Sequence, residues 1–367
     1  LQLFIALILS LAVITGCSAP KATLAPTDVP VEPTTPVVEE PTPTEPPVEY
    51  PLYVNLTWHQ HQPMYYKDEN GAYTRPWVRV HATKDYLDMA EMIAAEEGVK
   101  ATINLTPSLI RQLQDFTENG AKDLYWVLAE VPAAELTVEQ KTFILQRFYD
   151  ANWDHIIAVH PRYKELLDMR DGTDEAAITA AVENFTEQDF RDLQIWFNLA
   201  WIDPDYLAQE PFKALVDKGR DFTEEDKVTL FDGILALMKR VLPTHKELQD
   251  AGILEITTTP YAHPILPLIY NTDLALVGNP KAIMPKQQFS HPEDAAFHLQ
   301  KSVEMYESIF GRDVRGLWPG EGSVAEEIVP LVSEAGYKWM QTGEPVLVAS
   351  LGLAGDRFAR DNDGIVK

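Results

Sequence analysis

Strand patterns that alternate with amphipathic helices are the feature that most restricts how this chain can fold. Two segments with helical periodicity, 83–95 and 292–310, lie between strand patterns. Strands joined by helices form parallel βα units, and we therefore predict an α/β fold. The five segments with strand character are 53–58, 99–105, 252–258, 314–318 and 337–341.

Between the second and third strand patterns lies a long stretch, about 121–249, with helix signals almost throughout. Two of its helix starts, at 137–140 and 223–226, have the Thr-x-x-Gln/Asp pattern of a capping box, in which the threonine side chain accepts a bond from the N3 amide. One crossover helix does not need so many residues. We predict a helical insertion that grows out of a βα loop.

The N-terminal residues have the character of a targeting segment. Leu1 to Ile14 is almost entirely apolar. It is shorter than the roughly 20 residues that span a bilayer, but it suits the apolar core of a secretory signal peptide. It runs into Ile14-Thr15-Gly16-Cys17, which resembles a bacterial lipobox. We predict a lipoprotein signal peptide over 1–16, clipped at its start, and lipidation of Cys17; the alternative is a buried free cysteine.

Residues 17–50 form a Pro/Thr/Glu-rich linker. Ten of the chain's 27 prolines lie between Ser18 and Pro51, and such a composition cannot bury a core. A lipid on Cys17 and this linker would hold the folded part, residues 51–367, away from a membrane. We expect an extracytoplasmic, surface-anchored protein that contacts the membrane only through the lipid.

The charge balance narrows the class of partner. The chain has 56 acidic against 30 basic residues, a formal net charge of -26. Such a surface repels phosphate backbones and anionic headgroups, so nucleic acid is not an expected partner, whereas neutral carbohydrate is acceptable. A single cysteine excludes an intramolecular disulfide and a thiolate metal cluster. We expect no cofactor and no metal, and the sequence leaves the oligomeric state undetermined.

Polar and aromatic side chains follow three of the predicted strands. The carboxyl ends of parallel strands meet at one edge of a sheet or barrel, where ligands bind. Imidazoles and carboxylates there can hydrogen-bond sugar hydroxyls, and aromatic rings can stack on pyranose faces. The candidate site residues are Trp58, His59, His61, Tyr65, Glu255, His263, Trp318 and Glu321.

Glu321 has the strongest local case for a catalytic role. Ser323-x-x-Glu326 has the capping-box pattern, which predicts a helix that starts just after Glu321. The positive end of that helix would favour the ionised carboxylate by about 0.3–1 kcal/mol. An ionised carboxylate at this edge suits a nucleophile that attacks an anomeric carbon. The alternative is that Glu321 only caps the helix.

Several blocks of these residues occur in the order found in a known family. From about Tyr53 to its end the chain resembles glycoside hydrolase family 57, enzymes that break down or rearrange α-glucans. The segment 77–86 and helical pieces near 160 and 196 are similar to its amylopullulanase-like branch. The motif blocks are His61-Gln62-Pro63, Gly252-x-x-Glu255 with Thr258-x-x-Tyr261-x-His263-Pro264, and Trp318-Pro319-Gly320-Glu321-Gly322-Ser323-Val324.

The resemblance implies an irregular (β/α)7 barrel and a retaining reaction on an α-glucan polysaccharide or oligosaccharide. It implies that Glu321 is the nucleophile, that His59, His61, Glu255 and His263 line the subsite of the reacting glucose, and that Trp58, Tyr65 and Trp318 are candidate stacking platforms. It does not decide whether the enzyme hydrolyses or transfers glucan chains, or whether it prefers α-1,4 or α-1,6 linkages.

The family's general acid, an aspartate in a fourth motif, has no counterpart before Lys367. Asp356, Asp361 and Asp363 lie in a turn-rich stretch without that motif. We therefore expect a barrel that is incomplete at the C-terminus and a chain that lacks the acid. Two other functions stay open: a non-catalytic glucan-binding lipoprotein, and a metal-dependent polysaccharide deacetylase in which His59, His61 and His263 hold zinc.

Overall fold

The structure is a computed structural model that describes residues 54–353. The predicted signal peptide, Cys17, the linker and the aspartates at 356, 361 and 363 lie outside the described residues. None of the described helices has the length and apolar run needed to cross a membrane.

All the strands of the described part run parallel and follow one another in chain order. β1, β2 and β3 form one sheet and β4 and β5 another, and a parallel bridge between Thr258 and Leu317 joins the two. Within residues 54–353 these strands do not close into a barrel, which agrees with the predicted α/β fold and incomplete barrel. The strands are β1 Thr57–Gln60, β2 Ala101–Leu105, β3 Leu254–Thr257, β4 Gly316–Leu317 and β5 Trp339–Met340.

Between β2 and β3 every element that the structure describes is a helix. The capping boxes predicted at Thr137 and Thr223 are both present, at the starts of α5 and α11. The helices are α1 Trp77–His81, α2 Leu87–Ala95, α3 Pro107–Glu118, α4 Leu124–Glu130, α5 Val138–Arg147, α6 Pro161–Arg170, α7 Glu175–Asn184, α8 Glu187–Leu199, α9 Pro204–Leu207, α10 Phe212–Lys218, α11 Glu224–Asp250, α12 Leu266–Tyr270, α13 Ala275–Gly278, α14 Pro292–Phe310, α15 Val329–Glu334 and α16 Glu344–Ser350.

Two predicted boundaries near the N-terminus differ from the structure. β1 lies later than 53–58 because its pairing with β2 sets its span, from Thr57 opposite Thr102 to Gln60 opposite Leu105. The helix predicted over 83–95 is α2 preceded by a π-helical turn, Ala82–Tyr86, that continues from α1.

A buried arginine joins the helices on either side of β2. The Arg79 guanidinium on α1 donates to both carboxylate oxygens of Asp123, at 2.6 and 3.1 Å, and to the Asn198 side chain on α8 at 2.7 Å. Because both ions are paired and hydrogen-bonded, their burial is tolerated. This pair holds the helical insertion against the segment that follows β1.

Candidate active site

A row of polar side chains crosses the sheet at the carboxyl end of β1, β2 and β3. His59, Asn104 and Thr257 are register partners on the three strands, so their side chains share one face. His59 Nδ1 lies 2.6 Å from Asn104 Oδ1, and Asn104 Nδ2 donates to Thr257 Oγ1 at 3.1 Å. The amide thus presents its oxygen to the imidazole, which places the His59 proton on Nδ1 and leaves Nε2 as an acceptor.

Asn104 is a site residue that the sequence analysis missed. It is fully buried in a strand whose five residues are all buried. An amide in such a strand needs internal partners, and this was the available signal. The identity of those partners follows only from the strand register.

Three imidazoles pack together beside this row. The His61 and His263 rings are stacked with centroids 4.2 Å apart. The centroid of the His59 ring lies 5.4 Å from that of His61 and 5.2 Å from that of His263. Trp318 stacks face to face on His59, with centroids 4.7 Å apart and planes 5° from parallel. The structure therefore brings together four candidate residues from three separate strand ends.

Burial keeps these imidazoles neutral near pH 7. It lowers the pKa of His61 to about 4, with further lowering from the rings of His263 and His59. Burial also lowers the pKa of His59, against the raising effect of its bond to Asn104, and that of His263, against the raising effect of Glu321. A neutral imidazole can donate a hydrogen bond to one sugar hydroxyl and accept a hydrogen bond from another.

Glu321 faces His263 from a strained turn. Its backbone is left-handed, with φ 56° and ψ 21°, and its Oε1 lies 3.8 Å from His263 Nδ1. A non-glycine residue in this conformation costs about 1–3 kcal/mol and persists only where the surroundings impose it. The Glu321 side chain is 69% exposed, whereas that of His263 is 7% exposed. The carboxylate thus projects into solvent from beside a buried imidazole.

Close backbone packing positions the Glu321 turn. A Cβ on Gly320 would lie 2.3 Å from the Pro264 carbonyl oxygen and 3.1 Å from that of His263. Only glycine therefore allows the turn to approach the loop after β3 this closely. His263 has a left-handed φ of 57° in that loop, so two strained residues meet across the contact.

The predicted capping box at Ser323 is wrong. A 3₁₀ turn, Glu326–Ile328, precedes α15, its N-cap is Ala325, and neither helix start has a side-chain cap. The reason is Pro330, which lacks an amide donor and is disfavoured in the interior of a helix, whereas it is readily accepted in the first turn, where it lies in α15. The α-helix therefore begins at Val329, and the expected support of Glu321 by an adjacent capped helix end is lost.

Glu255 lies deeper in the sheet than the imidazoles. It precedes Thr257 by two residues on β3, so it faces the same side about 7 Å further down the strand. Trp339 Nε1 donates to Glu255 Oε1 at 3.4 Å, and the Trp339 ring lies across Gly316. The Glu255 carboxylate is thus hydrogen-bonded to the Trp339 indole, further down the strand than the three histidines.

The three predicted stacking residues lie in different surroundings. Trp318 has one face covered by His59 and can offer only the other. Trp58 alternates with His59 on β1 and so points to the opposite face of the sheet. The Tyr65 hydroxyl donates to Gln62 Oε1 at 2.7 Å, and its backbone amide donates to Gln112 Oε1 at 3.0 Å.

The histidine cluster contains the donor atoms that a metal ion would need. Nitrogen atoms of His59, His61 and His263 lie within 4.8 Å of one another. A zinc ion needs lone pairs that converge on one point about 2.0–2.1 Å from each nitrogen. The His61 and His263 rings are stacked and only 17° from parallel, so their in-plane lone pairs lie in two separate, nearly parallel planes and do not converge on one point. In this arrangement the residues do not fit zinc.

The profile of glycosyl hydrolase family 57 matches residues 55–360, and the chain belongs to that family. The match covers the parallel sheet, the helices between β2 and β3, and the histidine and Glu321 loops. A comparison with curated proteins gives no match.

Solved structures similar to the chain include an α-amylase and two branching enzymes. The α-amylase AmyC of Thermotoga maritima has 16% identity and a TM-score of 0.39, over 78% of this chain and 39% of that one. The family 57 branching enzyme of Thermococcus kodakaraensis has 20% identity and a TM-score of 0.33, over 74% of this chain and 33% of that one. The family 57-type branching enzyme of Pyrococcus horikoshii has 21% identity and a TM-score of 0.33, over 74% of this chain and 34% of that one. The chain thus spans about a third to two fifths of their length.

Proposed function

We propose that this protein cleaves or rearranges α-glucans by a retaining mechanism in which Glu321 is the nucleophile. The observation that carries the proposal is the placement of the Glu321 carboxylate, exposed and 3.8 Å from His263, at the carboxyl end of the sheet. Membership of the family supports the substrate class, since the family includes enzymes that act on α-glucans.

In this mechanism Glu321 attacks the anomeric carbon and the glycosidic bond breaks, so that a covalent glycosyl-enzyme forms. A general acid protonates the leaving oxygen. Water or the hydroxyl of another sugar then displaces Glu321. The neutral His59, His61 and His263 imidazoles would orient the hydroxyls of the reacting glucose.

The anomeric configuration of the first product tests this proposal. We expect the full-length protein to release α-configured sugars from maltoheptaose or pullulan, as seen by proton NMR before mutarotation, and to be insensitive to chelators. Acetate release from an acetylated polysaccharide that a chelator abolishes would instead indicate the deacetylase. Binding of maltoheptaose without any product would indicate the non-catalytic glucan-binding protein.

We also propose that a lipid on Cys17 anchors the protein outside the cytoplasm. The apolar segment and Ile14-Thr15-Gly16-Cys17, followed by the proline-rich linker, support this proposal. In cells fed a labelled fatty acid, the wild-type protein is expected to be labelled and to partition into detergent. A Cys17→Ser protein that still carries the label would contradict it.

A further inference from the structure

A cavity of about 510 Å³ lies along the solvent side of α3, apart from the histidine cluster. Its volume is within the roughly 300–1,000 Å³ range of small-molecule sites. We call it the α3 groove; the residues used below are Tyr65, Tyr66, Lys67, Arg111, Asp115 and Glu118.

Tyr66 offers an aromatic face on a fixed backbone. The residue is 82% exposed. Its carbonyl oxygen accepts from the Thr74 amide at 3.0 Å and from the Thr74 hydroxyl at 3.1 Å, next to an antiparallel bridge between Lys67 and Tyr73. The backbone below the ring is therefore held in place, and a ligand that stacks on Tyr66 has to order only the two torsions of its side chain.

The floor of the α3 groove is polar and balanced in charge. Asp115 accepts from the Tyr73 hydroxyl at 2.8 Å and pairs with Lys67 Nζ at 2.5 Å. Arg111 and Glu118 are exposed on the same helix. Two cations and two carboxylates thus line one cavity, and this suits a neutral ligand with many hydroxyls better than an ion.

The α3 groove adjoins the candidate active site. Arg111 Nη1 donates to the Tyr261 hydroxyl at 3.2 Å, and Tyr261 is in the loop that carries His263. On the other side, Tyr65 lines the groove and donates to Gln62, the neighbour of His61. These two contacts place the α3 groove next to the segments that carry His61 and His263.

We propose that the α3 groove binds a further stretch of a glucan chain, with a sugar ring stacked on Tyr66. This inference rests on the proposed function for the identity of the ligand. It assigns the protein a preference for long glucans over short ones.

The test compares a long and a short ligand on the full-length protein. Binding to soluble starch is measured by retardation in an affinity gel, and binding to maltotriose by calorimetry. We expect Tyr66→Ala to weaken starch binding by roughly three- to tenfold, and Tyr66→Phe to restore it because the ring is kept. Maltotriose binding should stay within about twofold for both variants. Phe297→Ala is the matched control, because Phe297 is an aromatic residue on α14 that is 57% exposed. This variant should change neither starch binding nor maltotriose binding.

Equal retardation of Tyr66→Ala and wild type by starch, with melting temperatures unchanged, would overturn the α3 groove and leave the proposed function intact. So would a wild-type protein that binds maltotriose but not starch. A protein whose maltotriose binding is unaffected by His59→Ala would instead overturn the histidine subsite, while a Tyr66-dependent starch signal would still support the groove.

Discussion

Glu321→Ala is expected to lower the turnover of α-glucans by the full-length protein by about 10³-fold or more. Without the carboxylate no covalent glycosyl-enzyme can form, and the remaining side chains can only bind the substrate. The side chain is 69% exposed, so its loss should move the melting temperature by no more than about 2 °C. Calorimetry and a reducing-sugar assay on the same preparation measure both effects.

Azide should rescue this variant on an activated α-glucoside. A small anion can occupy the space of the missing carboxylate and attack the anomeric carbon from the same side. The product would be the β-glucosyl azide, inverted relative to the substrate, because a single displacement replaces the usual two.

The matched control is Glu327→Ala, since Glu327 is an exposed carboxylate six positions further along the chain. It should keep full activity and show no azide product. If Glu321→Ala kept most of its activity, or lost stability without any azide product, Glu321 would be a structural residue of the turn and the nucleophile would lie elsewhere.

Gly320→Ala is expected to separate Glu321 from His263. The new Cβ would stand 2.3 Å from the Pro264 carbonyl oxygen, and because that neighbour is backbone, the two loops must move apart. Overpacking of this kind costs about 1–3 kcal/mol of unfolding free energy, and a displacement near 1 Å at a reacting group can lower the rate about 10²-fold. Chemical denaturation and steady-state kinetics of the full-length protein measure these effects.

Gly278→Ala serves as the control for the glycine change. Gly278 lies in α13, where an added Cβ meets nothing within 4 Å, and its φ is not positive. The unfolding free energy of the Gly278→Ala protein should stay the same or rise by about 0.4–1 kcal/mol, and its activity should be unchanged. A Gly320→Ala protein with wild-type rates would show that the 263–264 contact does not position Glu321.

Local patterns in the sequence were enough to predict the strands, the helical insertion and the helices α2, α3, α14 and α15, but not the short helices α12, α13 and α16. Capping at Thr137 and Thr223 depends on residues three apart, and α14 was predicted at its observed limits, 292–310. The strand segments were found because apolar and β-branched residues mark strands that pack against helices. The prediction of β1 failed because a distant residue pairing set its boundary, since its limits depend on its partner β2. The capping box at Ser323 failed for a local reason, the proline at 330.

The sequence by itself therefore determined the α/β class, the order of the elements and the family motifs at the strand ends, because each depends on residues close together in the chain. The tertiary structure decided which of those residues meet. The register of three strands joined Asn104 to His59 and Thr257, and packing placed Trp318 on His59 and Gly320 against Pro264. These contacts join residues far apart in the chain, and local spacing or propensity does not show which of those residues will meet, because that depends on how the strands and loops pack against one another.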